Sequence, residues 1–262
     1  MNNWKRIVIK VGTSTVCHPN GAPNLRRIDK LCRVISDLEN EGHEIILVTS
    51  GAIGTGLNKM GIPKRPKDLG LLQAAAAIGQ CELMSIYDRF LRDYGSMTGQ
   101  ILLTKVITED ENGINNVITT LDSLMSLGAI PVINENDSIA TEEIVYGDND
   151  TLSAVVAGII KADLLIMLTD TDGLYDKDPT SCDDATLIKE IHDLDLAASY
   201  AESHSHSGQG RGGMVTKIHA ARIAREHNVP SIITSGSRPD ILFDLIENNT
   251  YTGTYFPLEE NQ

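Results

Sequence analysis

The sequence predicts an α/β protein folded as a three-layer α/β/α sandwich with a largely parallel central sheet. Short runs of Ile, Val and Leu are apolar almost throughout, which is typical of strands covered on both faces in parallel sheets. Helical patterns separate these runs, and such alternation favours a parallel sheet flanked by helices. Aromatic residues make up only 4% of the chain while glycine occurs 22 times, and this balance favours close packing of helices on a sheet.

The predicted elements follow one another without a linker or repeat, so we expect a single domain over residues 1–262. The apolar, β-branched strands are Arg6–Val11, Glu44–Thr49, Gln100–Thr104, Ala129–Asn134, Leu164–Thr169 and Ser231–Thr234. The helices are Leu25–Asn40, Leu69–Tyr94, Asn116–Leu127, Thr151–Ala162, Gly213–His227 and Pro239–Glu247. The first helix places its apolar residues on one stripe, and the second is rich in Ala and Leu and is expected to be well buried.

Two stretches of the sequence lack the regular spacing of apolar residues that would predict a helix or a strand. Asp170–Thr186 is expected to hold a small hairpin or excursion. The polar run Ala201–Gly213 is rich in Ser, His and Gly, and we expect it to form a mobile loop at a functional site rather than a domain boundary. His204 and His206 in this run are interpreted as solvated loop residues rather than metal ligands.

The overall charge and composition exclude several classes of protein. A formal net charge of −14 repels nucleic acids, whose binding relies on dense Lys and Arg contacts. The four cysteines are scattered without a CxxC pair, which indicates free thiols in a reducing compartment. No apolar run approaches the ~18 residues of a membrane span, and the run at Ile7 to Ile9 is too short for a signal segment. We therefore expect a cytoplasmic protein with neither nucleic acid nor membrane as a partner.

Polar and glycine-rich clusters follow four of the predicted strands at their carboxyl ends. These clusters are Lys10–Ser14, Thr49–Ala52, Asn134–Asp137 and Thr169–Gly173. Each alone is compatible with turn chemistry, because Gly, Ser, Asn and Asp favour turns. In open α/β sheets, however, ligands bind beyond the carboxyl ends of the strands. Four clusters on one predicted edge therefore indicate a binding site.

Glycines and lysines in these clusters favour phosphate as a ligand. Gly12 and Gly51 allow backbone N–H groups to approach an anion closely. A buried cation at Lys10 would need an anionic partner, and Lys217 could bring a second cation after Gly212 and Gly213. The alternatives are a snorkelling strand lysine at position 10 and a solvated helix lysine at position 217. The glycines beside both lysines favour phosphate binding.

The standard nucleotide motifs do not account for this site. The sequence contains no GxxxxGK[ST], which excludes a P-loop enzyme. Gly208, Gly210 and Gly213 match GxGxxG, but no strand immediately precedes them, so we reject a dinucleotide-binding motif.

Acidic and amide residues supply the other half of the predicted site. Asn134-Glu135-Asn136-Asp137 and Gly147-Asp148-Asn149-Asp150 could bind an amino group, a metal ion or both. The alternative is helix capping, since Asp148, Asn149 or Asp150 would suit the N-cap of a helix that begins near Thr151. Capping and ligand binding are compatible, and we expect both.

Taken together, these motifs resemble the amino acid kinase superfamily and, within it, the glutamate 5-kinase family. The resemblance covers nearly the entire chain. The segments that carry it are Val8–Ser14, Val48–Ile53, Pro131–Asp137, Gly147–Ala154, Leu168–Pro179 and Gly212–Lys217. Leu168–Pro179 alone would indicate only the superfamily. The pair Ile-Asn-Glu-Asn-Asp and Gly-Asp-Asn-Asp, in this order and spacing, is similar to the narrower family, so the resemblance implies the amino acid kinase fold.

The resemblance also implies roles for individual residues. Lys10 and Lys217 would contact the transferring phosphate as catalytic residues, with Asp150 orienting them or assisting the metal. Ser50, Asp137 and Asn149, with Asn134 nearby, would bind the amino-acid substrate. The remaining ATP-binding residues would be Gly12, Gly51, Thr169, Asp170, Arg211, Gly212, Gly213, Met214, Val215 and Thr216. No residue is assigned as a dedicated metal ligand.

The activity that the resemblance implies is ATP-dependent phosphorylation of the side-chain carboxylate of L-glutamate, the first step of proline biosynthesis. A glutamate carboxylate has a reference pKa of about 4.3, so the nucleophile is ionised at neutral pH without a general base. The resemblance implies ATP and Mg²⁺ as cosubstrate and cofactor, feedback inhibition by proline, and a homo-oligomer, either dimer or tetramer. Because the sequence ends just after the kinase portion, we expect no C-terminal PUA domain.

Two other hypotheses about the function remain open. The chain could be a superfamily kinase that acts on N-acetylglutamate, aspartate, carbamate or UMP. It could also be a nonenzymatic sensor of an amino acid or nucleotide.

Overall fold

A seven-stranded sheet forms the centre of the protein. The computed structural model describes residues 4–104, 110–139, 149–203, 213–248, 250 and 252–259. The strands are β1 Arg6–Val11, β2 Glu44–Val48, β3 Met97–Leu103, β4 Ala129–Glu135, β5 Leu164–Thr169, β6 Ser231–Ser235 and β7 Thr254–Phe256. Their order across the sheet is β3-β4-β2-β1-β5-β6-β7, and all pair in parallel except β6 with β7. The predicted α/β class and largely parallel sheet are therefore confirmed.

Helices cover both faces of this sheet. They are α1 Thr13–Val16, α2 Leu25–Asn40, α3 Ala52–Lys59, α4 Leu69–Asp93, α5 Glu111–Ser126, α6 Asn149–Ile159, α7 Leu194–Ser203, α8 Met214–Glu226 and α9 Ile241–Ile246. The apolar residues of α2, α4 and α9 join one hydrophobic cluster, and those of α5, α6, α7 and α8 join the other. This arrangement gives the three layers that the alternating pattern predicts.

The alternation of side chains along β1 determines where its lysine lies. Ile7, Ile9 and Val11 belong to the cluster on the α2 face, whereas Val8 belongs to the cluster on the opposite face. Because side chains alternate along a strand, Lys10 shares the face of Val8. That face is covered by α8 and by α6, which carries Asp150, the ion-pair partner of Lys10.

The sequence misses four elements. The glycines of α3, Ala-Ile-Gly-Thr-Gly-Leu-Asn-Lys, lower its helix propensity, and α1 is only four residues long. The strand β7 has three residues and pairs antiparallel at the sheet edge, so it gives too short a pattern. The helix α7 occupies part of a segment that the sequence leaves unassigned. Several boundaries also shift: β3 begins at Met97 rather than Gln100, for example.

The irregular stretches are resolved in part. An antiparallel bridge joins Tyr175 to Leu187, which confirms an excursion after β5. The predicted mobile loop over 201–213 is partly wrong, because α7 extends through Ser203, and residues 204–212 lie outside the described ranges. The helix α6 includes Asn149 and Asp150, so capping by either residue is also wrong, and Asp148 is not among the described residues.

Glycines hold α3 directly against α4. A Cβ atom added at Gly56 would lie 1.8 Å from the carbonyl oxygen of Ala75, and one added at Gly79 would lie 1.8 Å from that of Ala52. Both distances are far shorter than any van der Waals contact, so only glycine fits at these two positions. The two helices therefore pack backbone against backbone, which fixes the start of α3 relative to the middle of α4.

By length and composition alone, α4 is the one helix in the described part of the chain that could cross a membrane. Core helices of soluble proteins meet the same criterion. Here Leu83, Tyr87 and Leu91 of α4 are buried.

Candidate active site

The loops that follow β1, β2 and β4 meet the start of α6 around a cleft of about 300 Å³ at the carboxyl edge of the sheet. Among the residues lining it are Thr13 after β1, Ser50 after β2, Asn134 at the end of β4, and Asn149 of α6. The cleft forms there because β1 and β2 lie at the centre of the sheet, with β4 beside β2. The structure thus brings together three of the four clusters that the sequence predicts, and the fourth follows β5, next to β1.

Three buried charges lie beside this cleft. Asp150, in the first turn of α6, has no exposed surface and forms ion pairs with both Lys10 of β1 and Lys217 of α8. The Lys217 Nζ lies 3.1 Å from Asp150 Oδ2, and Thr216 Oγ1 donates to the same oxygen over 2.8 Å. Lys10 and Lys217 are only 5% and 4% exposed, which excludes both a snorkelling and a solvated lysine.

The two lysines keep Asp150 ionised. Burial acts to raise the pKa of this carboxyl group, but the positive charges of Lys10 and Lys217 outweigh it, with hydrogen bonds from Lys10 and Thr216. The result is a pKa lowered from 3.8 to about 2. Both carboxylate oxygens face cations, a geometry that favours a role for Asp150 in orienting the two lysines.

The glycines lie where a phosphate would need close backbone approach. A Cβ atom built on Gly12 would come 3.8 Å from Lys10 Nζ, so the backbone after β1 lies next to that ammonium group. Gly51 has φ = 101°, a left-handed conformation that favours glycine, and it precedes the first residue of α3. Gly213 occupies the N-cap of α8, no atom of the described residues lies within 4 Å of a Cβ added there, and Met214 and Val215 follow in the first turn.

The other predicted ATP-binding residues are partly described. Thr169 ends β5, is largely buried, and donates from Oγ1 to Asp170 Oδ1 over 3.1 Å. Thr216 and Lys217 contact Asp150, so the start of α8 reaches the same charge cluster as β1. Arg211 and Gly212 lie outside the described ranges, as do His204 and His206.

Amide side chains form the floor of the cleft. Asn149 Nδ2 donates to Thr49 O over 2.5 Å, to Asn134 Oδ1 over 2.8 Å and to Ser50 Oγ over 3.1 Å. Asn134 Nδ2 in turn donates to Gln80 Oε1 over 2.8 Å. Asn134 is only 1% exposed, so nearly all of its surface is in contact with the protein. The structure therefore brings Ser50, Asn134 and Asn149 together as one hydrogen-bonded group.

Charged residues of both signs line the cleft as well. Glu135 and Asp137, both half-buried, supply carboxylates from the loop after β4. Arg65, from the segment between α3 and α4, is the only cationic side chain among the described residues that line the cleft. A ligand that carries both an ammonium and a carboxylate group matches this set of charges.

Sequence reasoning misses Arg65 and Gln80. Neither follows a strand, and Gln80 lies inside an Ala-rich helical pattern that predicts only burial. Arg65 stands in Pro63-Lys64-Arg65-Pro66-Lys67, where three cations in five residues are the one available signal.

No group of three or more His, Cys, Asp or Glu side chains with metal-site geometry occurs within the residues for which the structure gives positions. Magnesium is commonly bound through substrate phosphates with only one or two carboxylates. The surroundings of the two lysines are compatible with a metal that arrives bound to the phosphates of ATP.

Comparison with known proteins gives consistent results. The model of the amino acid kinase family matches residues 5–235. Over 266 aligned residues, the chain is 47% identical to the glutamate 5-kinase of Listeria monocytogenes serotype 4a (strain HCC23), covering 100% of this chain and 96% of that protein. It is 44% identical to the glutamate 5-kinase of Clostridium perfringens (strain 13 / Type A), covering 100% and 98%. For the glutamate 5-kinase of Lactococcus lactis subsp. lactis (strain IL1403) the identity is 47%, with coverage of 96% and 94%.

Solved structures share the fold at low sequence identity. UMP kinase from Ureaplasma parvum superposes with a TM-score of 0.65 at 15% identity, covering 97% of this chain and 99% of that one. An isopentenyl phosphate kinase from T. acidophilum gives a TM-score of 0.63 at 16% identity, covering 95% and 100%. At these identities the likeness shows the fold alone, and it confirms the predicted three-layer architecture.

Proposed function

Since the chain belongs to the amino acid kinase family and, within it, to the glutamate 5-kinases, we propose that its cleft holds L-glutamate for phosphorylation by ATP. The observation that carries this proposal is the buried Lys10–Asp150–Lys217 cluster directly beside a cleft lined by amides and carboxylates. The product is L-glutamyl 5-phosphate, the first intermediate on the route to proline.

The reaction needs no proton transfer. An oxygen of the ionised side-chain carboxylate forms a bond to the γ-phosphorus of ATP, while the bond from that phosphorus to the β,γ-bridging oxygen breaks and ADP leaves. The difficulty is that an anion must approach a polyanion. Catalysis therefore depends on positioning and on neutralisation of charge.

The lysines supply the neutralising charge. Lys10 and Lys217 hold two ammonium groups against one carboxylate, so their donors are fixed in place before the substrate arrives. Fixed donors stabilise developing charge on the transferring phosphoryl group without the cost of reorganisation. Backbone N–H groups at Gly12, Gly51 and Gly213 would add to this stabilisation, and Thr169 and Asp170 would line the nucleotide site. Mg²⁺, bound to the ATP phosphates, would neutralise further negative charge.

The opposite charges along the cleft match the α-carbon groups of free glutamate. Asp137, with Glu135 nearby, would bind the α-ammonium group, and Arg65 would face the α-carboxylate. N-acetylglutamate has no ammonium group, so the paired carboxylates favour the unblocked amino acid.

Asp137→Asn is expected to raise the KM for L-glutamate about tenfold while kcat changes little, because an amide cannot neutralise the ammonium group. Steady-state kinetics with varied glutamate at saturating ATP measure the change. Asp93→Asn, an exposed carboxylate at the end of α4, is the matched control. An unchanged KM in Asp137→Asn would remove this residue from the substrate site.

Arg65→Met is expected to raise the KM for L-glutamate about tenfold, because the α-carboxylate loses its charge-assisted hydrogen bonds. L-isoglutamine keeps the side-chain carboxylate and the ammonium group but carries a neutral amide at the α-carboxyl position. The preference for L-glutamate over L-isoglutamine should therefore shrink in the variant. Lys64→Met, at the neighbouring residue that does not line the cleft, is the control. Equal losses with both substrates would mean that Arg65 acts only on the fold.

The activity itself is tested by ATP-dependent hydroxamate formation with hydroxylamine and L-glutamate, compared with N-acetylglutamate, aspartate and no amino acid. Hydroxamate with L-glutamate, together with ADP release, is the expected result. ADP release without hydroxamate would indicate a different acceptor. Binding of ATP and glutamate without ADP formation would favour the sensor reading, which the intact lysine cluster disfavours.

We also propose that the protein acts in the cytoplasm as a homo-oligomer, dimer or tetramer, and that proline inhibits it at the glutamate site. Proline carries a cationic nitrogen and an α-carboxylate at the same spacing as glutamate, so the contacts at Asp137 and Arg65 could serve both. The single-domain organisation over residues 1–262 stays a prediction.

A further inference from the structure

A chain of three amide side chains links α4 to the glutamate cleft. Gln80 Oε1 accepts a hydrogen bond from Asn134 Nδ2 over 2.8 Å, and Asn134 Oδ1 accepts one from Asn149 Nδ2 over 2.8 Å. Gln80 is 8% exposed and does not line the cleft, whereas Asn134 lines the cleft with only 1% of its surface exposed. The last of the three amides, Asn149, is half-buried and lines the cleft.

Backbone groups fix the orientation of two of these amides. The N–H of Glu135 donates to Asn134 Oδ1 over 2.9 Å, so that atom must be the oxygen. The carbonyl of Thr49 accepts from Asn149 Nδ2 over 2.5 Å, so that atom must be the nitrogen. An N–H can only donate and a carbonyl can only accept, and the orientation of both amides follows. Asn134 must then turn its nitrogen towards Gln80, where only an acceptor fits.

The consequence reaches the cleft through Asn149. Its nitrogen is directed inward to Thr49, Ser50 and Asn134, and no donor within the described residues reaches its oxygen. Since Asn149 lines the cleft, its Oδ1 is the amide atom that a ligand can approach. An oxygen at this position accepts from an ammonium group, whereas a nitrogen would repel it.

We propose that Gln80 is a positioning residue for the amino-acid substrate: its oxygen anchors Asn134, which holds Asn149 with its own oxygen towards the substrate ammonium group. The inference rests on the proposed function, because the ligand it concerns is L-glutamate. Gln80 itself is not among the residues that line the cleft. Its place is set by Gly79, whose contact with the backbone of Ala52 fixes this turn of α4 against α3.

Removal of the Gln80 oxygen leaves two unfavourable states. Either Asn134 Nδ2 stays buried without an acceptor, or the amide rotates and presents its nitrogen to the N–H of Glu135 and to Asn149 Nδ2. In both states Asn149 is held less firmly, and the effect falls on glutamate binding rather than on phosphoryl transfer.

The test uses Gln80→Leu, with Gln80→Met as a second variant that fills similar space without an amide oxygen. The expected result is a rise of about tenfold in the KM for L-glutamate, with kcat within about threefold and the KM for ATP unchanged. The Kd for L-glutamate from titration calorimetry should rise by the same factor. Should Gln80→Leu fail to fold, Gln80→Met decides the question.

Tyr87→Phe is the matched control, because Tyr87 lies on the same helix and forms an equally buried hydrogen bond, 2.8 Å from its hydroxyl to Thr49 Oγ1. It should lower thermal stability without changing the KM for glutamate. The proposal would be overturned if both Gln80 variants had the same KM for L-glutamate as Tyr87→Phe. It would also be overturned if the Gln80 variants lowered only kcat.

A double-mutant cycle with Asn134→Ala separates positioning from general loosening of the cleft. If Gln80 acts through Asn134, Gln80→Leu adds less than about twofold to the KM once Asn134 is alanine. If the rise in KM in the double variant equals the product of the rises in Gln80→Leu and Asn134→Ala, the two residues act independently and the proposal is overturned. Wild-type protein that neither forms hydroxamate with L-glutamate nor binds it would instead overturn the proposed function.

Discussion

Lys217→Met is expected to lower kcat by about a hundred- to a thousandfold, which is the effect of removing one preorganised donor from a site of charge development. The side chain is buried, lies 3.1 Å from Asp150, and occupies the first turn of α8 beside the predicted ATP residues. Methionine keeps the length and the apolar stem but brings no charge to the phosphoryl group. Lys10→Met should behave similarly, because Lys10 pairs with the other oxygen of the same carboxylate.

Stability should fall far less than turnover in either lysine variant, because Asp150 keeps the remaining lysine as a partner. Rapid-quench or steady-state turnover at saturating substrates, together with urea unfolding, measures the two effects separately. Lys59→Met is the control, since Lys59 also pairs with a carboxylate, Glu82, but on the surface. Full activity in Lys217→Met, or complete unfolding, would contradict its assignment as a catalytic residue.

Asp150→Asn is expected to cause the largest combined loss, lowering the free energy of unfolding by about 3–5 kcal/mol. Asp150 is the carboxylate with which both lysines pair, and asparagine leaves two buried ammonium groups without it. The activity should fall as well, because the two lysines would no longer be held in one geometry. Asp195→Asn, which breaks the exposed pair with Arg222, should cost at most about 1 kcal/mol.

The contribution of the Asp150 carboxylate to the free energy of unfolding depends on pH, because the pKa of this group is lowered in the folded protein. With a pKa of about 2 in the folded protein and 3.8 as its ordinary value, the carboxylate stabilises the fold at any pH above about 4. The part of the ~3–5 kcal/mol that depends on this ionisation is about 2 kcal/mol, and it is lost as the pH falls from about 4 through 2. The difference in unfolding free energy between wild type and Asp150→Asn should therefore stay constant above pH 4 and narrow below it. If the difference in unfolding free energy between wild type and Asp150→Asn already narrowed near pH 6, a group other than Asp150 would be responsible for the pH dependence.

Much of the fold follows from pattern alone. Apolar runs without alternation predict β1, β2, β4 and β5 almost to the residue, because a strand covered on both faces must be apolar on both. The stripe of Leu25–Asn40 predicts α2 with both ends correct. By contrast, α3 is stabilised by contact with α4 rather than by helix propensity, and contact between two segments leaves no local period to detect.

The candidate site divides in the same way. Its polar clusters could be predicted because the carboxyl ends of parallel strands share one edge, which brings Lys10, Ser50 and Asn134 together. The burial of Lys217 could not be predicted from the sequence. A lysine near glycines at the start of a helix is equally compatible with an exposed side chain, and only the structure shows Asp150 beside it. Arg65 and Gln80 belong to segments that do not follow a strand, and only tertiary packing brings Arg65 to the cleft and Gln80 to Asn134.

The contact of Gly56 and Gly79 with the opposing backbone has a practical consequence for protein engineering. One wall of the cleft begins with Ser50 and α3, while the support of its amide floor comes from α4, and these two helices cannot slide or separate without breaking a contact that admits no side chain. Widening the cleft for a bulkier acceptor by substitutions on one helix alone would strain the other. Variants with altered acceptor specificity should therefore be sought by remodelling the segment around Arg65 or the loop after β4, which border the cleft without belonging to that rigid pair.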